Sequence, residues 1–152
     1  MRRLAKLLAV TVGSTVVLGG GVVAMASSSN TPSQGAVGGP PGFVATIAKS
    51  MAARMGDSNP TSAQYVLTTR QAAESLVAGD HVHTNPEVYL VVLHGHFSDP
   101  GARVPPGAPI PTGTQINFTI DPVTQQILDF GISNQSLSDL PTLGQVQSLT
   151  LP

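Results

Sequence analysis

Residues Glu87 to Phe97 constrain the fold more than any other stretch of this chain. Val88, Leu90 and Val92 fall on one side of an extended segment there, and Tyr89, Val91, Leu93 and Phe97 on the other, because side chains alternate across a strand. A strand that is apolar on both faces needs cover above and below, which predicts a position in the middle of a sheet.

The flanking segments supply partners for it. Ile116, Phe118 and Ile120 alternate with Gln115, Asn117 and Thr119, which predicts a half-exposed strand with the polar set facing solvent. Asp121-Pro122-Val123-Thr124 has Asp and Pro where a type I turn wants them. Ile127 to Ile132 then returns, with Leu128, Phe130 and Ile132 on one face. This hairpin is expected to bury Phe118 and Phe130 together, leaving Gln115 exposed.

Upstream, Phe43, Ile47 and Met51 recur every four residues beside Val44, Ala48 and Met55. That is one apolar helical stripe, with Gly56 as its stop. Asp57-Ser58-Asn59-Pro60 reads as a turn, and Ala63 to Leu67 as a short strand. Thr68 with Gln71 fits a capping box opening a helix that runs to Ala78, ended by Gly79. Asp99 to Gly113 is a long proline-rich loop. From Asn134 onward the leucines are irregularly spaced, which fits a docked tail or a short edge strand.

The N-terminus carries an address. Arg2, Arg3 and Lys6 precede the uncharged run Leu7 to Ala26, and Ala24-Met25-Ala26 has the small-x-small form of a signal-peptidase site. A basic end stays cytoplasmic while the apolar run enters the bilayer. Two outcomes follow: cleavage after Ala26, or retention of residues 7–26 as a membrane anchor, the run being long enough to span. Either way the remainder is exported, secreted or held at the outer face of the cytoplasmic membrane. Ser27 to Gly42 has the composition of a flexible linker.

The chain thus divides into a leader (1–26), a Gly/Pro/Ser linker (27–42), an α+β domain (43–133) in which a helix packs on a small antiparallel β-sheet, and a tail or edge segment (134–152). At 152 residues in all, one domain is the limit. Three of its seven basic residues sit in the leader, which leaves four against eight acidic ones and a formal net charge of −4 beyond it. That balance argues against nucleic acid and against anionic membrane surfaces. Many small exported domains are stapled by disulfides, but this chain has no cysteine. Core burial or a metal must hold it together, and a lipoprotein-type N-terminus is excluded.

The helix Arg70-Gln71-Ala72-Ala73-Glu74-Ser75-Leu76, the strand Val88-Tyr89-Leu90-Val91-Val92 and the turn Ile120-Asp121-Pro122-Val123-Thr124-Gln125-Gln126-Ile127 together resemble a PepSY-type or cystatin-like domain. Gln125 stands where PepSY turns usually have glycine. With its leader, the chain resembles small exported proteins of high-GC Gram-positive bacteria. The resemblance implies a helix across an antiparallel sheet and a non-enzymatic envelope module that binds or restrains another protein. It carries over no catalytic residue.

All four histidines form two His-x-His pairs, His81-Val82-His83 and His94-Gly95-His96. On a strand, His94 and His96 would project from one face, a spacing that suits Zn²⁺ or Cu²⁺, with the second pair completing a tetrahedral site and Asp80 or Asp99 adding an oxygen. The alternative is a set of solvated or backbone-satisfied imidazoles. No Gly-x-Ser-x-Gly elbow occurs in the domain, so no nucleophile is assigned. Glu74, Glu87 and Asp129 read as solvated or capping groups. The triplets Asn117-Phe118-Thr119 and Asn134-Gln135-Ser136 match a glycosylation signal, which has no meaning in a bacterial exporter. Function then rests between a non-enzymatic exported module for an envelope or extracellular protein partner and a histidine-based metal-binding protein of the envelope. A small hydrolase comes third.

Overall fold

The computed structural model describes residues 40–152; the leader and nearly all of the linker lie outside the described residues. Residues 42–152 form an α+β layout of two helices and a five-stranded antiparallel sheet. Helix α1 (Gly42–Arg54) leads into strand β1 (Ser62–Thr69), helix α2 (Arg70–Val77) and strands β2 (Glu87–Ser98), β3 (Thr112–Ile120) and β4 (Ile127–Ser133). A 3-10 turn (Leu140–Leu143) and the two-residue strand β5 (Gln147–Ser148) complete it. The sheet order is β4-β3-β2-β1-β5.

The doubly apolar strand sits where its pattern demands. β2 is the middle strand, paired with β1 through Tyr65 and Val91 and with β3 through Val91 and Phe118. Its two faces feed two separate cores. Val91, Leu93 and Phe97 meet the buried α1 stripe of Val44, Ala48 and Met51 together with Ile116 and Phe118. Val88, Leu90 and Val92 pack on the opposite face with Val66, Ala73 and Leu140. Phe43 and Ile47 lie at the flank of the α1 stripe, only partly buried.

The start of α2 differs from the expected capping box. Thr68 pairs with Val88 inside β1, and Thr69 is the cap, accepting a hydrogen bond from Ala72 N at 3.4 Å. The strand runs two residues further than expected, to Thr69, so the capping role falls to the hydroxyl of its last residue.

The hairpin from β3 to β4 forms, but its far strand carries a bulge. Thr119 pairs with Asp129 and Ile120 with Ile127, leaving Leu128 as the extra residue. Leu128 therefore packs in the α2-side core, while Ile127 and Ile132 pack on the α1 side. Phe130 does register with Phe118, yet it is 52% exposed against 1% for Phe118. β4 is an edge strand and α1 lies over the middle of the sheet, so the shared burial expected for the two rings is not formed.

The polar set of β3 is also displaced from expectation. Gln115, Asn117 and Thr119 are buried, at 1%, 5% and 1% exposure. The cause lies downstream: Leu137, Leu140 and Leu143 cover that face, and the Leu137 amide donates to Gln115 Oε1 at 3.3 Å. Residues 134–152 thus form part of the packing, with Leu149 buried against the α1 side and its amide bonded to Ala63 O at 2.8 Å.

Candidate functional site

The histidines occupy opposite ends of β2. His81 and His83 lie exposed in the connection from α2 to β2, and His94 and His96 near the far end of the strand. The seven residue steps from Glu87 to His94 span roughly 23 Å at ~3.3 Å each, whereas zinc ligands all stand ~2 Å from one ion. The two pairs therefore do not converge, and no group of three or more metal-ligating side chains exists among the described residues. Asp99 Oδ1 is engaged by Gly101 N at 3.0 Å. His81 Nδ1 lies 3.1 Å from Gln71 Nε2, and Gln71 Oε1 accepts from Val82 N at 3.2 Å. The first pair thus belongs to a connection clasped by the opening turn of α2.

The second pair has a structural reason for its spacing. Asp57 Oδ2 accepts from His96 N at 2.8 Å, while Asp57 Oδ1 accepts from Asn59 N at 2.9 Å. The carboxylate rests over Gly95, where any Cβ would collide with it. A glycine between the two histidines lets the Asp57 turn dock on an irregularity in the β2–β3 register. Thr61 closes the same end, its N and Oγ1 both donating to His94 O at 2.7 and 3.0 Å.

From this end projects the loop Asp99–Pro111. Its base is tied by Asp99 N to Pro111 O at 3.0 Å, and Ser98 N anchors it to Met55 O at 2.8 Å. Two internal turns shape it, Ala102 N to Asp99 O at 3.2 Å and Ala108 N to Pro105 O at 3.0 Å. Arg103 and Ile110 are exposed along it, Ile110 at 43%. Prolines fix φ and lower the entropy of the free loop, so fewer conformations are open to this surface. A depression of about 320 Å³ opens at the same end, lined by Lys49, Asn59, Thr61, Ser62, Leu149 and Leu151 among others. Lys49 Nζ donates to Pro152 O at its rim.

A polar cluster on the α2 face lay outside the expected site. Arg70 Nε and Nη2 donate to Asp129 Oδ2 and Oδ1 at 2.7 and 2.6 Å, Thr119 Oγ1 donates to Oδ2 at 3.0 Å, and Arg70 Nη1 donates to Thr84 Oγ1 at 3.1 Å. Asp129 is thus an ion-pair partner, half-buried, and caps no helix. The hydrogen bonds from Arg70, then that from Thr119, hold its carboxyl below the usual range, against partial burial. Burial, followed by the nearby Asp129 charge, pushes Glu74 the other way. Further along the same row, Gln115 Nε2 is buried with no hydrogen-bond partner. The side-chain oxygen is fixed toward the Leu137 amide, which only an acceptor can satisfy.

No family model, no curated protein and no solved structure matches this chain.

Proposed function

We propose that this chain is an exported, non-enzymatic binding module whose recognition surface is the loop Asp99–Pro111 with the adjoining His94–His96 end of β2. The observation that carries this reading is the loop's construction: pinned at its base by Asp99 and Pro111, braced by two internal turns, and exposing Arg103 and Ile110. Long, shaped loops on a rigid scaffold are disproportionately sites of recognition, and pre-ordering lowers the entropic cost of binding. The partner is an envelope or extracellular protein, in keeping with the leader read from residues 1–26. The PepSY-like resemblance agrees with a binding role, and Gln125 supports it: its φ of 58° at the turn position is the conformation that glycine favours.

A photo-reactive residue installed at Ile110, and in parallel at Val123 on the far hairpin, tests the reading in the producing cells. A discrete protein adduct from position 110 and none from 123 is expected. Equal or absent adducts at both positions would refute it.

A further inference from the structure

Strand β4 ends the sheet, and its outer edge is bare. Beyond its ladder with β3, no backbone hydrogen bond engages Ile127–Ser133 among the described residues. Of the devices that usually blunt such an edge, the Leu128 bulge protects its start only and leaves Asp129–Ser133 regular. The strand contains no proline and no lysine, and its single charge, Asp129, is already neutralised by Arg70. The opposite edge is different, being the two-residue β5.

The unbulged part of β4, Asp129-Phe130-Gly131-Ile132-Ser133, is complementary to itself. If two copies pair antiparallel with the two-fold axis at Gly131, Gly131 faces its own copy and each Phe130 faces the other copy's Ile132. Both of these side chains belong to the α1 side of the sheet, where Phe130 registers with Phe118 and Ile132 with Ile116. On the α2 side each Asp129 faces the other copy's Ser133. Asp129 Oδ1 accepts one hydrogen bond, from Arg70, and so retains a lone pair for a hydroxyl. No like charges meet at any position, and the exposed Phe130 ring gains an apolar neighbour. We infer that β4 is a self-association edge, joining two copies of this chain into one continuous antiparallel sheet across a two-fold axis at Gly131.

A single strand pair covers less than the ~1,000 Å² expected of a stable interface, so the dimer is weak and concentration-dependent. This edge shares no residue with the Asp99–Pro111 loop, and either assignment can fail alone.

The chain has no cysteine, so a single introduced thiol reports the axis directly. Opposed residues of an antiparallel pair have Cα atoms ~4.5–5.5 Å apart, within the ~4.4–6.8 Å a disulfide bridges. The experiment is oxidation of full-chain Gly131→Cys beside full-chain Val123→Cys, whose site is 87% exposed at the hairpin tip. Gly131→Cys should give covalent dimer in severalfold greater yield, rising with concentration, and Phe130→Lys in the same background should suppress that yield at least tenfold. A Cβ at Gly131 lies 3.3 Å from Asn117 Oδ1; should that crowding unfold the variant, sedimentation of the cysteine-free chain across a concentration series carries the same prediction, with dimer lost in Phe130→Lys. Equal cross-linking at 131 and 123, as association through the leader would give, or a yield indifferent to Phe130→Lys, overturns the proposal.

Discussion

Arg70 and Asp129, 59 residues apart in sequence, form a two-pronged ion pair that ties the start of α2 to strand β4. Each side chain keeps about a quarter of its surface in water, at 23% and 26% exposure. Solvent weakens such a pair, but charge-assisted bidentate geometry is the strong form of the interaction. The structural consequence is that the edge strand is fastened to the helix on the α2 side as well as to β3. Asp129→Ala is expected to cost about 1–2 kcal/mol, the value for hydrogen bonds to charged groups reduced by partial exposure to solvent. A double-mutant cycle with Arg70→Ala in urea melts checks it. Additive effects of the two changes would mean that the pair adds no coupling energy.

The same cluster contributes to the acid side of the stability profile. The Asp129 carboxyl titrates below its ordinary range because Arg70 and Thr119 hydrogen-bond the charged form. In that window the unfolded chain binds more protons, so this contribution is present at higher pH and is lost as pH falls through the folded value. Glu74 has the opposite sign. Burial and the Asp129 charge raise it, so the folded state holds its proton longer, and stability falls as pH rises from the ordinary glutamate value through the raised one. Stability is therefore expected to peak at mildly acidic pH. In Glu74→Gln the decline above that peak should vanish, as read from urea midpoints across a pH series.

Gln115 shows where local pattern and tertiary cover part company. Alternation along β3 was legible, and so was the central place of the doubly apolar β2, because both follow from a period of two along one segment. The side of β3 that meets solvent was not legible. It depends on Leu137 and Leu140 folding back over it, and their irregular spacing advertises no element. The same limit hid the Arg70–Asp129 cluster, whose members are far apart in sequence, and the divergence of the histidine pairs, which needs the length and register of β2. Buried as it is, Gln115→Ala should cost about 1–3 kcal/mol, because it leaves the Leu137 amide without its acceptor. A loss within about 0.5 kcal/mol, as at an exposed site, would mean that the tail does not cover β3.

Gln125 holds a φ of 58° at the end of the Pro122–Gln125 loop, its amide donating to Asp121 O at 2.9 Å. A left-handed conformation costs an L-residue about 1–2 kcal/mol. Glycine removes that strain but adds up to about 1 kcal/mol of unfolded-state entropy. Gln125→Gly should therefore stabilise the protein, by up to about 1 kcal/mol in thermal or urea melts. Destabilisation would show that the Gln125 side chain makes a contact worth more than the strain.

Phe118 and Phe130 face each other across β3 and β4 yet live in different environments. Phe118 sits in the α1-side core at 1% exposure, whereas Phe130 is 52% exposed because β4 is the last strand of the sheet among the described residues. Truncating a buried phenylalanine removes its transfer free energy and leaves a cavity, together about 3–5 kcal/mol, a large fraction of the roughly 5–15 kcal/mol that holds a domain folded. Phe118→Ala is expected to approach that loss. Phe130→Ala forfeits only the covered part of the ring and should cost about 1 kcal/mol or less in dilute protein. Paired urea melts separate the two, and the gap should narrow as protein concentration rises, because self-association at β4 would bury Phe130. Equal midpoints in dilute protein would mean that α1 extends over β4 and that the edge is closed.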